Sequence, residues 1–329
     1  MRETVANIKE ISRPILEDLE IFRRELEEAI RSEIRLINIV GRYVLKRRGK
    51  HFRPILTILA SRICGQPTVN SYRAAALIEI LHVASLIHDD VVDDANKRRG
   101  FPSINKIWKN RISILMGDYL FSRALINMIG IKDFAVLDII SHTAEEMAAG
   151  EMLQIEKSAT RSFDETSYFD MISRKTASLI ATSCELGALT TTKKDSDRQA
   201  MKTYGTNLGL AFQIKDDLFD FLGQEEQTGK EKGADIKRNL VTLPLIHSFA
   251  NFSRVEQKKM KRLLRQKRKS VDDLNNINEL IRNAGGFEYA YRCIDEYSGQ
   301  ALSALDDYPD SHYKQALSDL VIYNSTRSR

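Results

Sequence analysis

The chain has 329 residues, 43% of them apolar and 29% charged, with a formal net charge of +5. That length allows one large domain or two ordinary ones, and no Gly/Pro/Ser-rich linker divides it. No apolar run approaches the roughly 18–20 residues that span a bilayer, and Met1-Arg2-Glu3-Thr4 begins no apolar signal core, so a soluble, cytoplasmic protein is expected.

Six prolines occur, and none lies between Ser103 and Leu243. An interior proline breaks a helix, so that gap suits long helices. Apolar residues recur at three- and four-residue spacing nearly throughout, as in Ile112, Leu115, Met116, Tyr119 and Leu120. Strand-type alternation is hard to find. The pattern predicts one all-α domain over residues 1–329, of about ten or more helices, with no internal repeat.

In chain order, Gly49-Lys50-His51-Phe52-Arg53-Pro54 places a lysine and an arginine three apart, before a helix that proline can start. The apolar stretch Ala74 to Ile87 reads as helix and runs into Asp89-Asp90-Val91-Val92-Asp93. Arg98-Arg99-Gly100 follows within two turns. Arg174-Lys175-Thr176 lies mid-chain. A second apolar helical stretch, Leu208 to Ile214, runs into Asp216-Asp217-Leu218-Phe219-Asp220. Lys230 follows in a glycine-containing segment. Lys258-Lys259-Met260-Lys261-Arg262 and Lys267-Arg268-Lys269 form a basic run without aromatics. That run reads as a solvated helix face, with attraction to an anionic membrane surface as the second reading and nucleic acid disfavoured. Cys64, Cys184 and Cys293 form no CxxC pair and read as reduced core thiols.

The two aspartate clusters share one spelling. Residues four apart share a helix face, so Asp89 with Asp93 and Asp216 with Asp220 each aim two carboxylates one way. Like charges at that spacing cost roughly 0.2–0.5 kcal/mol per pair, and a late position in the helix adds an unfavourable dipole. Magnesium offsets such a cost, because it takes oxygen ligands and shares them with substrate phosphates. The cations near the clusters grip phosphate by charge and forked hydrogen bonds. Together these features describe a site for removing a diphosphate, with charge on the leaving oxygen neutralised by metal and cations. Leu81, Ala84 and Ser85, below Asp89 on its helix, are small or apolar, so a long apolar chain could pass beneath the carboxylates.

These residues resemble the trans-isoprenyl diphosphate synthases, the polyprenyl synthetase family, over nearly the whole chain. Further matching segments are Met116-Gly117-Asp118-Tyr119, Ala149-Gly150-Glu151-Met152-Leu153-Gln154, Lys175-Thr176-Ala177, Gly209-Leu210-Ala211-Phe212-Gln213-Ile214 and Thr242-Leu243-Pro244-Leu245. The resemblance implies antiparallel helices around a deep cavity, a homodimer, and three magnesium ions. It implies condensation of an allylic diphosphate with isopentenyl diphosphate to an all-trans product. Lys50, Arg53, His82 and Arg99 would hold isopentenyl diphosphate. Asp89, Asp93, Asp216 and Asp220 would hold the metals, with Asp90 and Asp217 beside them. Arg98, Lys175, Gln213 and Lys230 would hold the allylic diphosphate, and Thr176 would lie beside the reacting carbons. Leu240 stands where the family usually has a lysine; Lys237 or Arg238 could compensate. Short-chain members carry aromatics below the first cluster. Ala84 and Ser85 supply none, which implies a longer product and a floor deeper down, at Met116, Leu120 or Phe121. A short-chain (farnesyl or geranylgeranyl) synthase, a terpene cyclase and a non-catalytic subunit of a heteromeric synthase remain as alternatives.

Overall fold

The computed structural model describes residues 7–46, 51–98, 100–160, 163–222, 241–266 and 269–327. Helices dominate them: α1 (Ile8–Ile11), α2 (Leu16–Ile30), α3 (Arg35–Lys46), α4 (Phe52–Cys64), α5 (Val69–Val92) and α6 (Ile104–Ile131). They continue with α7 (Phe134–Thr160), α8 (Glu165–Ile172), a π-helical segment (Ser173–Ala177), α9 (Ser178–Leu189) and α10 (Asp195–Leu222). The last are α11 (Leu243–Asn251), α12 (Arg254–Arg265), α13 (Val271–Asn283), α14 (Gly286–Ser303) and α15 (His312–Thr326). The only strands among the described residues are β1 (Lys97–Arg98) and β2 (Phe101–Pro102), a two-residue antiparallel ladder that turns at Gly100, φ +80°.

The chain forms two compact units. One comprises Met1–Ala144, Leu179–Gly205 and Ala304–Leu320; the other comprises Glu145–Ser178, Thr206–Ser303 and Val321–Arg329. In the first, α5 is buried on every side, from Tyr72 through Ala74 to Leu81 and on to Val83, Ala84 and Ile87. A helix apolar all round must be central, and α2, α4 and α6 pack on it. A buried polar group ties three of these helices together. The Asp18 carboxylate on α2 accepts Arg62 Nε at 2.9 Å and Nη2 at 2.7 Å from α4. It also accepts the Tyr72 hydroxyl of α5 at 2.6 Å. Burial, and then that hydrogen bond, push the Tyr72 phenol up to about 12. In the second unit, α8, α11 to α14 and the C-terminal part of α10 share a core of Tyr168, Ile172, Leu218, Phe221, Leu245, Ile277, Ile281, Phe287 and Ile294. All three cysteines are free, and burial pushes the half-buried Cys64 thiol up to about 11.

One expectation is corrected. Helix α6 is long and apolar enough, by length and composition, to cross a membrane, with mean hydropathy 1.3. The reason is that both of its faces are apolar: between Ile112 and Ile129 only Asp118 and Arg123 are charged. Met116, Leu120, Ala124 and Met128 are buried in the unit, whereas Ile114, Leu115, Leu125, Ile126 and Ile129 are exposed.

Replacing Asp18 by alanine strands the Arg62 guanidinium and the Tyr72 hydroxyl beneath the surface. Breaking a buried pair from one side costs about 3–5 kcal/mol. Arg62 keeps some solvent contact, which puts Asp18→Ala at the lower end, about 3 kcal/mol. Urea denaturation followed by circular dichroism should show it; an unchanged midpoint would mean the network adds nothing to stability.

Candidate active site

Each unit carries one aspartate cluster at the C-terminal end of a long helix. In the first unit, Asp89 is half-buried, Asp90 buried, and Asp93 exposed as the C-cap of α5. The Asp93 amide donates to the Asp89 carbonyl at 2.8 Å, so the helical turn that brings these two side chains to one face is intact. The chain then reverses sharply. The Asp90 carbonyl accepts the Ala95 amide at 2.9 Å and the Asn105 side chain at 3.2 Å. This anchors the β1–β2 hairpin that carries Arg98.

Two histidines of α5 are seated by neighbouring helices. His82 Nε2 lies 3.0 Å from Arg53 Nη1 of α4. Next to the cluster, His88 Nε2 lies 3.3 Å from both the Asp118 carboxylate and the Ile114 carbonyl of α6. Gly117 makes that seat possible, because a Cβ there would fall 2.2 Å from His88 Nε2. The Met116-Gly117-Asp118 segment is therefore a histidine cradle. Below the cluster, α5 contributes Glu79, Ile80 and Val83 to a small cavity of about 10 Å³. Leu26 and Ile30 of α2, Gly41, Val44 and Leu45 of α3, and Leu120 of α6 complete its lining. Ala84, buried, and Ser85, half-buried with its hydroxyl on the His82 carbonyl, are not in that lining. Of the floor candidates, Leu120 lines the cavity and Met116 is buried beside Gly41, whereas Phe121 is 39% exposed. Glu79 escapes sequence reading. Its buried carboxylate lies 3.2 Å from Nδ1 of His51, which precedes α4 with φ 52°.

In the second unit the site is a continuous chain of hydrogen bonds. The Thr176 hydroxyl donates to Gln213 Oε1 at 2.7 Å, and Gln213 Nε2 donates to Asp217 Oδ1 at 2.8 Å. The Tyr168 hydroxyl donates to Asp217 Oδ2 at 2.6 Å. Asp217 is thus buried and held by both oxygens. Lys175 donates to Gln154 Oε1 at 3.0 Å and pairs with Glu151, both on α7. Arg174 turns the other way, to Asp170 at 2.7 Å and Glu146 at 3.1 Å. Lys175 and Thr176 sit in the π-helical segment, a distortion frequent at functional sites. Two glycines hold that segment. A Cβ at Gly150 of α7 would lie 2.6 Å from the Lys175 nitrogen, and one at Gly209 of α10 would lie 2.6 Å from Ala177 Cα.

Sequence reasoning missed Arg327. Its guanidinium donates to Asp216 Oδ1 at 2.6 Å and lies 4.2 Å over the Phe212 ring and 5.3 Å from that of Phe219. Lys215 Nζ donates to the Ser325 carbonyl at 2.9 Å and so holds the same C-terminal segment on α10. Burial, and then Arg327, lower the Lys215 ammonium below its ordinary value. No local signal marks Arg327, which is 111 residues from its partner. Lys50, Arg99, Lys230, Lys237, Arg238 and Leu240 lie outside the described residues, as does the side chain of Arg98.

Among the described residues no three His, Cys, Asp or Glu side chains converge to hold a metal unaided. The donors are nevertheless all oxygen, in pairs, on helix ends. That set fits magnesium shared with a diphosphate, since magnesium is usually bound by one or two carboxylates plus water and phosphate oxygens.

A profile of the polyprenyl synthetase family matches residues 34–281. The chain belongs to the polyprenyl synthetase family. It is 34% identical to heptaprenyl diphosphate synthase component 2 of Geobacillus stearothermophilus over 94% of this chain and 96% of that protein. It is 31% identical to the octaprenyl diphosphate synthase of Escherichia coli K12 over 98% of this chain and all of that one, 100%. Among solved structures, the polyprenyl synthase of Caulobacter crescentus, crystallised with calcium and isoprenyl diphosphate, superposes with TM-score 0.91 at 29% identity, covering 99% of this chain and 100% of that one. The family's all-α isoprenoid synthase fold is the one found here.

The glycine contacts give a direct test. Gly150→Ala should force Lys175 away from Glu151 and Gln154 and cost about 1–3 kcal/mol by overpacking. Hydrogen–deuterium exchange should show faster amide exchange over residues 173–177. Unaltered exchange there, with normal melting, would mean α7 moves aside without disturbing the segment.

Proposed function

We propose that the chain is a prenyltransferase that condenses an allylic diphosphate with isopentenyl diphosphate, head to tail, to an all-trans long-chain polyprenyl diphosphate. The observation that carries this is the second-unit constellation, in which an ordered lysine, threonine, glutamine and aspartate stand beside a half-buried Asp216. In the reaction the allylic carbon–oxygen bond breaks and its electron pair leaves with diphosphate. The isopentenyl double bond supplies the new carbon–carbon bond, and the proton lost afterwards goes to the released diphosphate.

Magnesium, when bound by Asp89, Asp93, Asp216 and Asp220, would neutralise charge on the leaving diphosphate. Lys175 presents an ammonium from a rigid segment. Asp217, fixed by Tyr168 and Gln213, fixes in turn the amide that holds the Thr176 hydroxyl. The Arg53 guanidinium, which donates to His82 Nε2 at 3.0 Å and is oriented by it, would hold a second diphosphate. Among the described residues no aromatic lines the cavity below Asp89, which favours a long product over a farnesyl or geranylgeranyl chain.

We infer also a cytoplasmic homodimer. Three free thiols, two of them buried, suit a reducing compartment. The exposed face of α6, with Phe134 at 88% exposure and Leu137 on the start of α7, is an apolar patch of the kind a second copy covers. A membrane span suits it less, because the opposite stripe of α6 is packed on α5.

The purified chain, given magnesium, isopentenyl diphosphate and farnesyl diphosphate, should make long prenyl chains alone. Activity only with an added second protein would make it part of a heteromeric synthase, as the word component in its Geobacillus relative's name describes that protein. Asp89→Ala and Asp216→Ala should each lower turnover at least about a hundredfold while the fold persists; Asp89→Ala relieves like-charge repulsion, whereas Asp216→Ala also leaves the Arg327 guanidinium without its carboxylate and should lower the melting temperature. Near-normal turnover in either variant would reduce the clusters to ordinary acidic helix ends.

Chain length gives a finer test. Val83→Phe should fill the cavity and shorten the product while the first condensation keeps most of its rate. Chromatography of dephosphorylated products decides this, and an unaltered length distribution would show that the growing tail does not enter this cavity. Ala84→Phe, at a position 1% exposed, should shorten the chain only if the tail runs along that face instead.

A further inference from the structure

Helix α12 has two opposite faces. Met260, Leu263 and Leu264 are buried in the core of the second unit. At about 100° per residue, Arg254, Lys258, Lys261, Arg262 and Arg265 fall within about 100° of arc, centred roughly opposite the buried residues. All five are exposed, as is Lys259 just outside the arc. The helix holds a single acid, Glu256, and it is turned back to its own N-terminus. It accepts the Ser253 amide at 2.9 Å and the Ser253 hydroxyl at 2.6 Å. None of the five cations pairs with a carboxylate among the described residues; Lys261 lies over the Phe249 ring at 5.2 Å.

We propose that this outer face of α12 docks on an anionic lipid bilayer. A packed apolar side fixes the helix on the protein, so the cations form a flat, permanent array rather than a helix that inserts. Such an array suits a planar anionic surface, where each lysine or arginine adds to attraction within a Debye length. Val255, 77% exposed at the edge of the arc, is placed for shallow contact with the interface. Nucleic acid is the weaker fit, since α12 holds no aromatic side chain on which a base could stack. The proposed reaction adds a reason of its own: its product is a diphosphate on a long hydrocarbon chain, which partitions into a bilayer. The charge geometry stands without that reason.

Sedimentation of the full chain with vesicles tests the idea. Vesicles of mixed phosphatidylglycerol and phosphatidylcholine should carry the protein down, pure phosphatidylcholine should not, and added salt should release it. Changing Lys258, Lys261, Arg262 and Arg265 together to glutamine should weaken binding at least about tenfold, with melting temperature and lipid-free turnover unchanged. If that variant loses its melting transition, Lys258→Glu with Arg262→Glu serves instead. The proposal fails if the variant sediments like the parent chain, if neutral vesicles bind equally, or if duplex RNA displaces the protein from anionic vesicles at sub-stoichiometric amounts.

Discussion

A helix with no solvent-facing stripe can present polar groups only at its ends. Helix α5 is that helix: its length is packed against α2, α4 and α6, and its first carboxylate-rich turn is its last. Everything in the first unit follows from this. Burial fixes α5 along its axis, so the position of Asp89 and Asp93 is set by the core rather than by a loop. The cost is electrostatic, because carboxylates stand at the helix end where the dipole already favours cations. His88 and its glycine cradle stiffen the turn before them, and the Asp90 carbonyl holds the reversal after them.

The second unit solves the same problem with hydrogen bonds. Helix α10 ends in Asp216 to Asp220, but Asp217 faces inward, where an unpaired carboxylate would be costly. Tyr168 and Gln213 satisfy it, and Gln213 then has one oxygen left, which takes the Thr176 hydroxyl. The order of that chain is forced by donor and acceptor count, because a glutamine amide can accept on one side and donate on the other. Asp216 is satisfied differently, by a guanidinium stacked on Phe212, so a cation already occupies the carboxylate that would receive metal. Metal binding at Asp216 must therefore displace or share Arg327.

Much of this was legible in the sequence. The aspartate spellings, their apolar helical approaches and the absence of internal proline pointed to the all-α class and to both clusters. The glycines in Met116-Gly117-Asp118 and Ala149-Gly150-Glu151 were visible as spellings, but the spacing alone could not say that each makes room for one residue of another helix. Arg327 and Tyr168 were illegible because their partners are remote in sequence. The apolar length of α6 was underestimated for another reason. Periodicity reports a repeat of apolar residues and does not say which of two apolar faces is covered.

Glu79 bears on what the cavity selects. A carboxylate among Leu26, Ile30, Val44, Leu45 and Ile80 is tolerated because His51 meets it from the start of α4. It stands ten residues before Asp89, about 15 Å along a helix that rises 1.5 Å per residue, and Val83 stands about 9 Å along the same axis. A tail held with its diphosphate at Asp89 cannot touch either while it is short. Under the proposed reaction the first condensations would therefore be blind to the cavity, and only an already lengthened chain would meet its wall. Walls of branched aliphatic side chains accept more hydrocarbon, whereas the buried pair of Glu79 and His51 does not, since burying it under an apolar tail would remove whatever solvation it keeps. Under the proposed reaction the polar pair, rather than an aromatic ring, would mark where added hydrocarbon stops being favourable.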